Sequence, residues 1–334
     1  MTDQDVSAPS AAATGSDPRP TFAELFGRIV ANVEHVIQGK RAVIEQALIC
    51  LVAEGHLLVE DVPGVGKTSL AKALAQSITG SFGRVQFTPD VLPSDVVGVS
   101  VWDRSESEFR FRGGPVFNNL VLADEINRAS PKTQSALLEA MEERQVTVDG
   151  HTYPLDLPFM VIATQNPIEH EGTYPLPESQ LDRFFMRVSV GYPDRGAAVD
   201  ILNAHGGDTA RTHRIEPVVT TQEVTAMAAT VRSIHVAPSL QNYIVELAEA
   251  TRRHPALALG ISPRATLALQ RAGRALAAAR SRDYVVPDDL RELATPVLSH
   301  RVALTPEARL QGMATEAVIE DVLRTVAVPT GAEA

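Results

Sequence analysis

Residues 56–69, His56-Leu-Leu-Val-Glu-Asp61-Val62-Pro63-Gly64-Val65-Gly66-Lys67-Thr68-Ser69, decide the fold. The apolar run 56–60 reads as a buried strand. From Lys67 onward, Leu70, Leu74 and Ile78 recur every four residues and predict a helix over 67–78. A glycine-rich turn joins the two, and strand, turn and helix in that order are the setting of a phosphate-binding loop. Gly64 and Gly66 let the backbone approach an anion, and the amides through Thr68 can face phosphate oxygens. Lys67 supplies neutralising charge and the Thr68 hydroxyl a ligand for Mg²⁺. The binding stretch is therefore Asp61, Val62, Pro63, Gly64, Val65, Gly66, Lys67, Thr68 and Ser69, with Asp61 standing where such loops usually begin with glycine.

Working outward, four more apolar runs, 83–87, 120–123, 159–163 and 185–190, read as strands, with a further clear helix over 131–143. Near-continuous apolar strands separated by helices imply a parallel sheet covered on both faces, an α/β core. A helical segment, 21–50, precedes it. Two hairpins are inserted: 99–103 with 108–112, and 145–148 with 151–154 around the turn Asp149-Gly150. Such hairpins add little to a parallel-sheet core and project from it to touch something. Beyond about residue 204 the strands disappear, and 221–231, 239–252, 263–280, 287–298 and 314–325 read as amphipathic helices. The expected organisation is a disordered tail over 1–20, an α/β nucleotide-binding core over 21–204 and an all-α domain over 205–334.

The strand 120–123 ends in Asp124-Glu125. Downstream of a phosphate loop, the first carboxylate suits the Mg²⁺ shell and the second the polarising of water. Asn166 follows the strand 159–163 and can reach the γ-phosphate or its water, because ligands in parallel sheets sit beyond the carboxyl ends of strands. It is also a plausible Asn-Pro turn former. Arg183 precedes the last core strand, where a guanidinium can stabilise phosphoryl transfer; an ion pair with Asp182 is the plain alternative. Arg264 opens a helix, against the helix dipole, which an anionic phosphate would justify.

Lys+Arg 30 against Asp+Glu 41 gives a net charge of −11, which argues against a life of non-specific nucleic-acid binding. The lone Cys50 cannot form an intrachain disulfide, sits in an apolar run and reads as a buried thiol in a reducing, cytoplasmic setting. No apolar stretch approaches the roughly 18 residues a membrane span needs, and residues 1–20 carry no targeting signal. His151, His170, His205 and His213 lack metal-ligand spacing. Arg271, Arg274, Arg280 and Arg282 read as a solvated helix face.

Taken together these segments resemble a AAA+ ATPase, and specifically the MoxR family of the helix-2-insert clade. The phosphate loop, Asp124-Glu125-Ile-Asn-Arg-Ala, Asn166, Leu181-Asp-Arg183-Phe and Ser262-Pro-Arg264 resemble Walker A, Walker B, sensor 1, the arginine-finger segment and sensor 2. Residues 87–95 and 131–143 are the parts most like MoxR proteins, whose members commonly replace the first Walker A glycine. The resemblance implies ATP and Mg²⁺, a homo-oligomeric ring that is usually a hexamer, a helical lid, and Arg183 acting on the neighbour's nucleotide, with Arg128 as its rival. It implies a chaperone-like remodeller whose partners carry a von Willebrand factor A domain. A magnesium-chelatase-type ATPase subunit is the alternative within the clade. A DNA-remodelling motor and a nucleotide-gated scaffold lie further off.

Overall fold

The computed structural model describes residues 20–167, 172–193, 195–196, 198–199 and 215–329. The expected tail over 1–20, apart from Pro20, the stretch 201–214 around the expected core boundary, and His170, His205 and His213 lie outside the described residues.

Five strands, β1 (Leu57–Glu60), β2 (Phe82–Gln86), β5 (Leu120–Asp124), β8 (Met160–Gln165) and β9 (Met186–Val188), form one parallel sheet in the order β2-β5-β8-β1-β9. Alternate residues point to opposite faces, and both faces are covered. Leu57, Val59, Leu120, Leu122, Met160 and Ile162 pack against α1 (Phe22–Glu34), α2 (Arg41–Val52) and α3 (Lys67–Gln76). Leu58, Val121, Ala123, Val161 and Ala163 pack against α4 (Pro93–Val97) and α5 (Pro131–Glu143). The expected helical segment 21–50 is two helices rather than one, because Gly39 turns the chain with φ 71°. Strand ends move by at most two residues from expectation. β8 runs two residues further, to Gln165, and β9 stops two residues earlier, at Val188, where Ser189 and Gly191 turn to bind Asp61.

Both hairpins form, β3 (Gly98–Asp103) with β4 (Glu108–Gly113) and β6 (Gln145–Val148) with β7 (His151–Pro154). They touch each other: the Phe111 ring stacks on Tyr153 at 4.0 Å. Trp102 and Phe109 stay largely exposed on the first.

The C-terminal region holds α6 (Glu178–Leu181), which precedes β9, then α7 (Thr221–Ser233), α8 (Pro238–Arg253), α9 (Pro263–Ala279), α10 (Pro287–Leu298), α11 (Pro306–Leu310) and α12 (Thr315–Thr325) after it. It is not wholly helical. β10 (Leu257–Leu259) and β11 (Ala303–Leu304) pair antiparallel, a correction to the expected all-α domain. Three and two residues are too few to carry a period, so pairing between distant segments, not local pattern, makes these strands. The arginine-rich helix face is also corrected. Arg282 Nη2 and Arg280 Nη1 donate to Asp289 Oδ1 at 2.6 and 3.3 Å, and Asp289 is fully buried and needs those partners. Arg271 donates to the Ala53 carbonyl and lies over the Phe185 ring. Cys50 is buried and free, as expected, and burial pushes its thiol well above the ordinary range.

Candidate active site

The phosphate loop leaves the carboxyl end of β1 and enters α3. Gly66 takes φ 98° directly ahead of Lys67, a conformation costly for any residue with a Cβ. Lys67 Nζ donates to the Asp61 carbonyl and, at 3.1 Å, to the Gln165 carbonyl, so its ammonium sits at the carboxyl ends of β1 and β8. The Asp61 carboxylate accepts from the Gly191 amide (2.6 Å), the Val62 amide (2.7 Å) and the Ser189 hydroxyl (2.8 Å). Burial alone would raise its pKa. These three donors, with Lys67 nearby, outweigh burial and hold it below the usual carboxylate range. The side chain at the missing glycine thus fastens the loop to the end of β9.

Asp124 closes β5, buried, with Oδ1 accepting from Thr164 Oγ1 at 2.7 Å and Oδ2 from Thr68 Oγ1 at 3.2 Å. Glu125 follows with φ 58°, a strained left-handed backbone for a side-chain-bearing residue, and its amide donates to Thr164 Oγ1 at 2.9 Å. Its Oε2 accepts from Gln86 Nε2 (3.0 Å) and Arg128 Nη1 (3.1 Å). Asn166 is buried just past β8, and its carbonyl accepts from Asn127 Nδ2 at 3.4 Å. Loop, Thr68, Asp124, Glu125 and Asn166 therefore gather at one end of the sheet. A hydroxyl and a carboxylate side by side suit Mg²⁺, which favours few protein ligands and keeps phosphate and water oxygens for the rest. Among the described residues no cluster of three or more His, Cys, Asp or Glu exists that would build an all-protein metal cage.

Arg183 and Arg264 lie elsewhere. Arg183 precedes β9 beside the amino end of β1, where the Phe185 amide donates to the His56 carbonyl at 2.8 Å. Five residue steps along an extended strand, roughly 16 Å, separate His56 from Asp61. Arg183 Nε contacts Glu142 Oε2 at 3.2 Å, and Arg264 Nη2 donates to the other oxygen of the same carboxylate. Asp182 pairs with Arg301 Nε at 3.4 Å and with the Ser262 hydroxyl, not with Arg183. Arg264, which the sequence marks as a candidate for a phosphate, thus stands away from its own chain's phosphate loop, tied through Glu142 to the opposite end of the sheet. Both arginines line a cavity of about 220 Å³ with Arg144, Arg271 and Arg301.

Sequence reading missed Arg84 and Gln86 on β2, Thr164 on β8 and the turn after α1. Lys40 Nζ donates to the Tyr192 carbonyl at 2.8 Å, and a Cβ placed on Gly66 would meet Ile37 at 3.8 Å, so Ile37, Lys40 and Tyr192 border the loop. Only the Gly39-Lys40 dipeptide hinted at this turn. The loop also reaches the C-terminal region: Gln165 Nε2 donates to Glu60 at 3.0 Å, and Arg187 joins Glu60 (2.8 Å) to Glu316 (2.6 Å).

Comparison with known proteins places this geometry. Residues 56–186 match the profile of the ATPase family associated with various cellular activities (AAA), and residues 249–322 match that of an AAA lid domain. The chain is 49% identical over 308 residues to YeaC of Bacillus subtilis, a protein without an assigned role, across 91% of this chain and 95% of that one. It is 42% identical over 311 residues to the chaperone MoxR1 of Mycobacterium tuberculosis, across 90% and 82%. The crystal structure of a candidate ATPase from Cytophaga hutchinsonii superimposes with a TM-score of 0.86 at 38% identity, across 92% and 96%.

Proposed function

The chain belongs to the MoxR family of AAA+ ATPases, and on that premise we propose that it hydrolyses Mg²⁺-ATP in a ring of identical subunits to remodel partner proteins. The observation that carries the reading is the division of the site. The phosphate loop, Asp124, Glu125 and Asn166 stand at the carboxyl ends of the strands, while Arg183 and Arg264 stand at the other end. One copy cannot close its own site. A neighbouring copy in a ring, taken as a hexamer, supplies the missing cations.

In this reading Lys67 and the loop amides hold the β- and γ-phosphates, and Thr68 and Asp124 hold Mg²⁺. When bound, Mg²⁺ offsets phosphate charge. Glu125 orients the attacking water and takes its proton, worth about 10²–10⁴ in rate. Asn166 fixes the water or the γ-phosphate. The neighbour's Arg183, with Arg264 beside it, stabilises charge on the transferred phosphoryl group, an effect of about 10³–10⁵. Arg128 is engaged within its own chain's site, on Glu125 at 3.1 Å, whereas Arg183 stands at the far end of the sheet, a position that favours Arg183 for the trans role. Ile37, Lys40 and Tyr192 are the candidates to border the base. The core–lid boundary is proposed within residues 205–217. Among the described residues no helix is long and apolar enough to cross a membrane, and we place the protein in the cytoplasm.

Proteins with a von Willebrand factor A domain are the proposed clients. The test is affinity capture with Glu125→Gln protein in Mg²⁺-ATP, with mass spectrometry of what is held. Recovery of such a protein supports the reading. Recovery of chelatase subunits or of DNA-bound complexes overturns it.

A further inference from the structure

The Asp124 carboxylate has a third partner that the proposed reaction does not use. Arg84 Nη2 lies 2.8 Å from Asp124 Oδ2, the same oxygen that accepts from Thr68. β2 and β5 run parallel with Gln86 opposite Asp124, and residues 84 and 86 share a face of β2. Arg84 Nη2 also donates to Gln86 Oε1 at 2.9 Å, and Gln86 holds Glu125. The Asp124 side chain is 9% exposed and that of Arg84 44%. A buried carboxylate needs a cation or donors beside it. A half-exposed arginine on a long stem can leave at little cost, because ion pairs of that kind are weak.

We propose that Arg84 is a tethered counter-ion that neutralises Asp124 while the site lacks metal, and that Mg²⁺ must displace. Arg84 thereby sets the free Mg²⁺ concentration at which metal-bound nucleotide is taken up. The inference rests on the reading of Thr68 and Asp124 as the Mg²⁺ ligands. Two cations compete for one carboxylate oxygen, so removing the protein's own cation favours the metal. Without metal the sign reverses: the uncompensated Asp124 charge repels the phosphates.

The test is binding of N-methylanthraniloyl-ADP to the full-length protein, followed by fluorescence, with and without Mg²⁺. For Arg84→Gln the half-saturating Mg²⁺ concentration is expected to fall about 5-fold, the size of an exposed ion pair. Its metal-free affinity, in EDTA, is expected to fall as well. Arg84→Lys, which keeps the charge, should stay near wild type in both. Opposite effects on metal and on metal-free nucleotide distinguish a counter-ion from a residue that merely supports the fold, which would weaken both. An unchanged or raised Mg²⁺ requirement in Arg84→Gln, with a melting temperature like wild type, overturns the proposal. If the wild-type protein binds the nucleotide under neither condition, the site reading itself fails and the inference falls with it.

Discussion

Arg183 of the core and Arg264 of the lid share one carboxylate, that of Glu142: Arg183 Nε lies 3.2 Å from Oε2, and Arg264 Nη2 donates to Oε1. Two cations from different domains are therefore fixed as a pair, at the end of the sheet away from their own phosphate loop. If they act on a neighbour, loss of one is repairable by mixing. Arg183→Ala should lose about 10³-fold or more in ATP turnover, and Lys67→Ala should lose nucleotide binding. Rings mixed from the two should regain turnover in a phosphate-release assay, since each supplies what the other lacks. Absence of recovery at every mixing ratio would count against the trans role.

Glu125 carries the proton transfer in this scheme, and among the described residues its carboxylate is held by Gln86 and Arg128. Glutamine keeps that shape and removes the base. Glu125→Gln should reduce turnover by about 10²–10⁴ while nucleotide affinity by titration stays within about 2-fold of wild type. Turnover near the wild-type rate would sink the assignment.

The strand–loop–helix of residues 57–76 and the end of β5 were legible because each is local: a few residues of one segment fix the backbone and bring the chemistry with it. Arg264 was legible only in part. Its helix start was readable, but which end of the sheet that helix covers depends on contacts with Glu142 and Asp182, far off in sequence. Arg84 and Gln86 were hidden for a related reason. In sequence they are the polar positions of an edge strand, and they become part of the site only because β2 pairs in register with β5. The β10–β11 pair, too short to have a period, was invisible on the same grounds.

Asp61 binds three donors that a glycine cannot, joining the phosphate loop to the turn after β9. Restoring the conventional residue should therefore harm this chain. Asp61→Gly removes the acceptor of the exposed Ser189 hydroxyl and the half-buried Gly191 amide, at about 0.5–1.5 kcal/mol per lost bond. A lower melting temperature and weaker nucleotide binding are expected from thermal scans and titration. A variant as stable as wild type, with equal affinity, would mean that the bonds to β9 contribute nothing.

His56 sets a pH dependence that has no part in catalysis. Its ring is buried against Phe159, at 5.4 Å between centroids, where Nδ1 accepts from the Val161 amide at 3.0 Å and Nε2 donates to the Met141 carbonyl at 3.0 Å. That pairing fixes the neutral tautomer. Burial, with Arg144 and Arg271 nearby, pushes the pKa down to about 4, against the donated bond to Met141, which acts the other way. The unfolded chain takes up this proton near 6.5 and the folded chain only near 4. Between those values the unfolded state binds more protons, so stability falls as pH drops through the window, by on the order of 3 kcal/mol from this residue. His300, whose pKa burial also lowers, adds to the same slope. Asparagine at 56 can still accept from Val161 but cannot titrate. His56→Asn should therefore be less stable than wild type at pH 7, by about 1–3 kcal/mol for the lost bond and volume. Its stability should change less between pH 6.5 and 4, with His300 left as the common background. Urea unfolding at several pH values checks this. Parallel curves for the two proteins would show that His56 is protonated in the fold and the pairing misassigned, while converging curves at low pH bear it out.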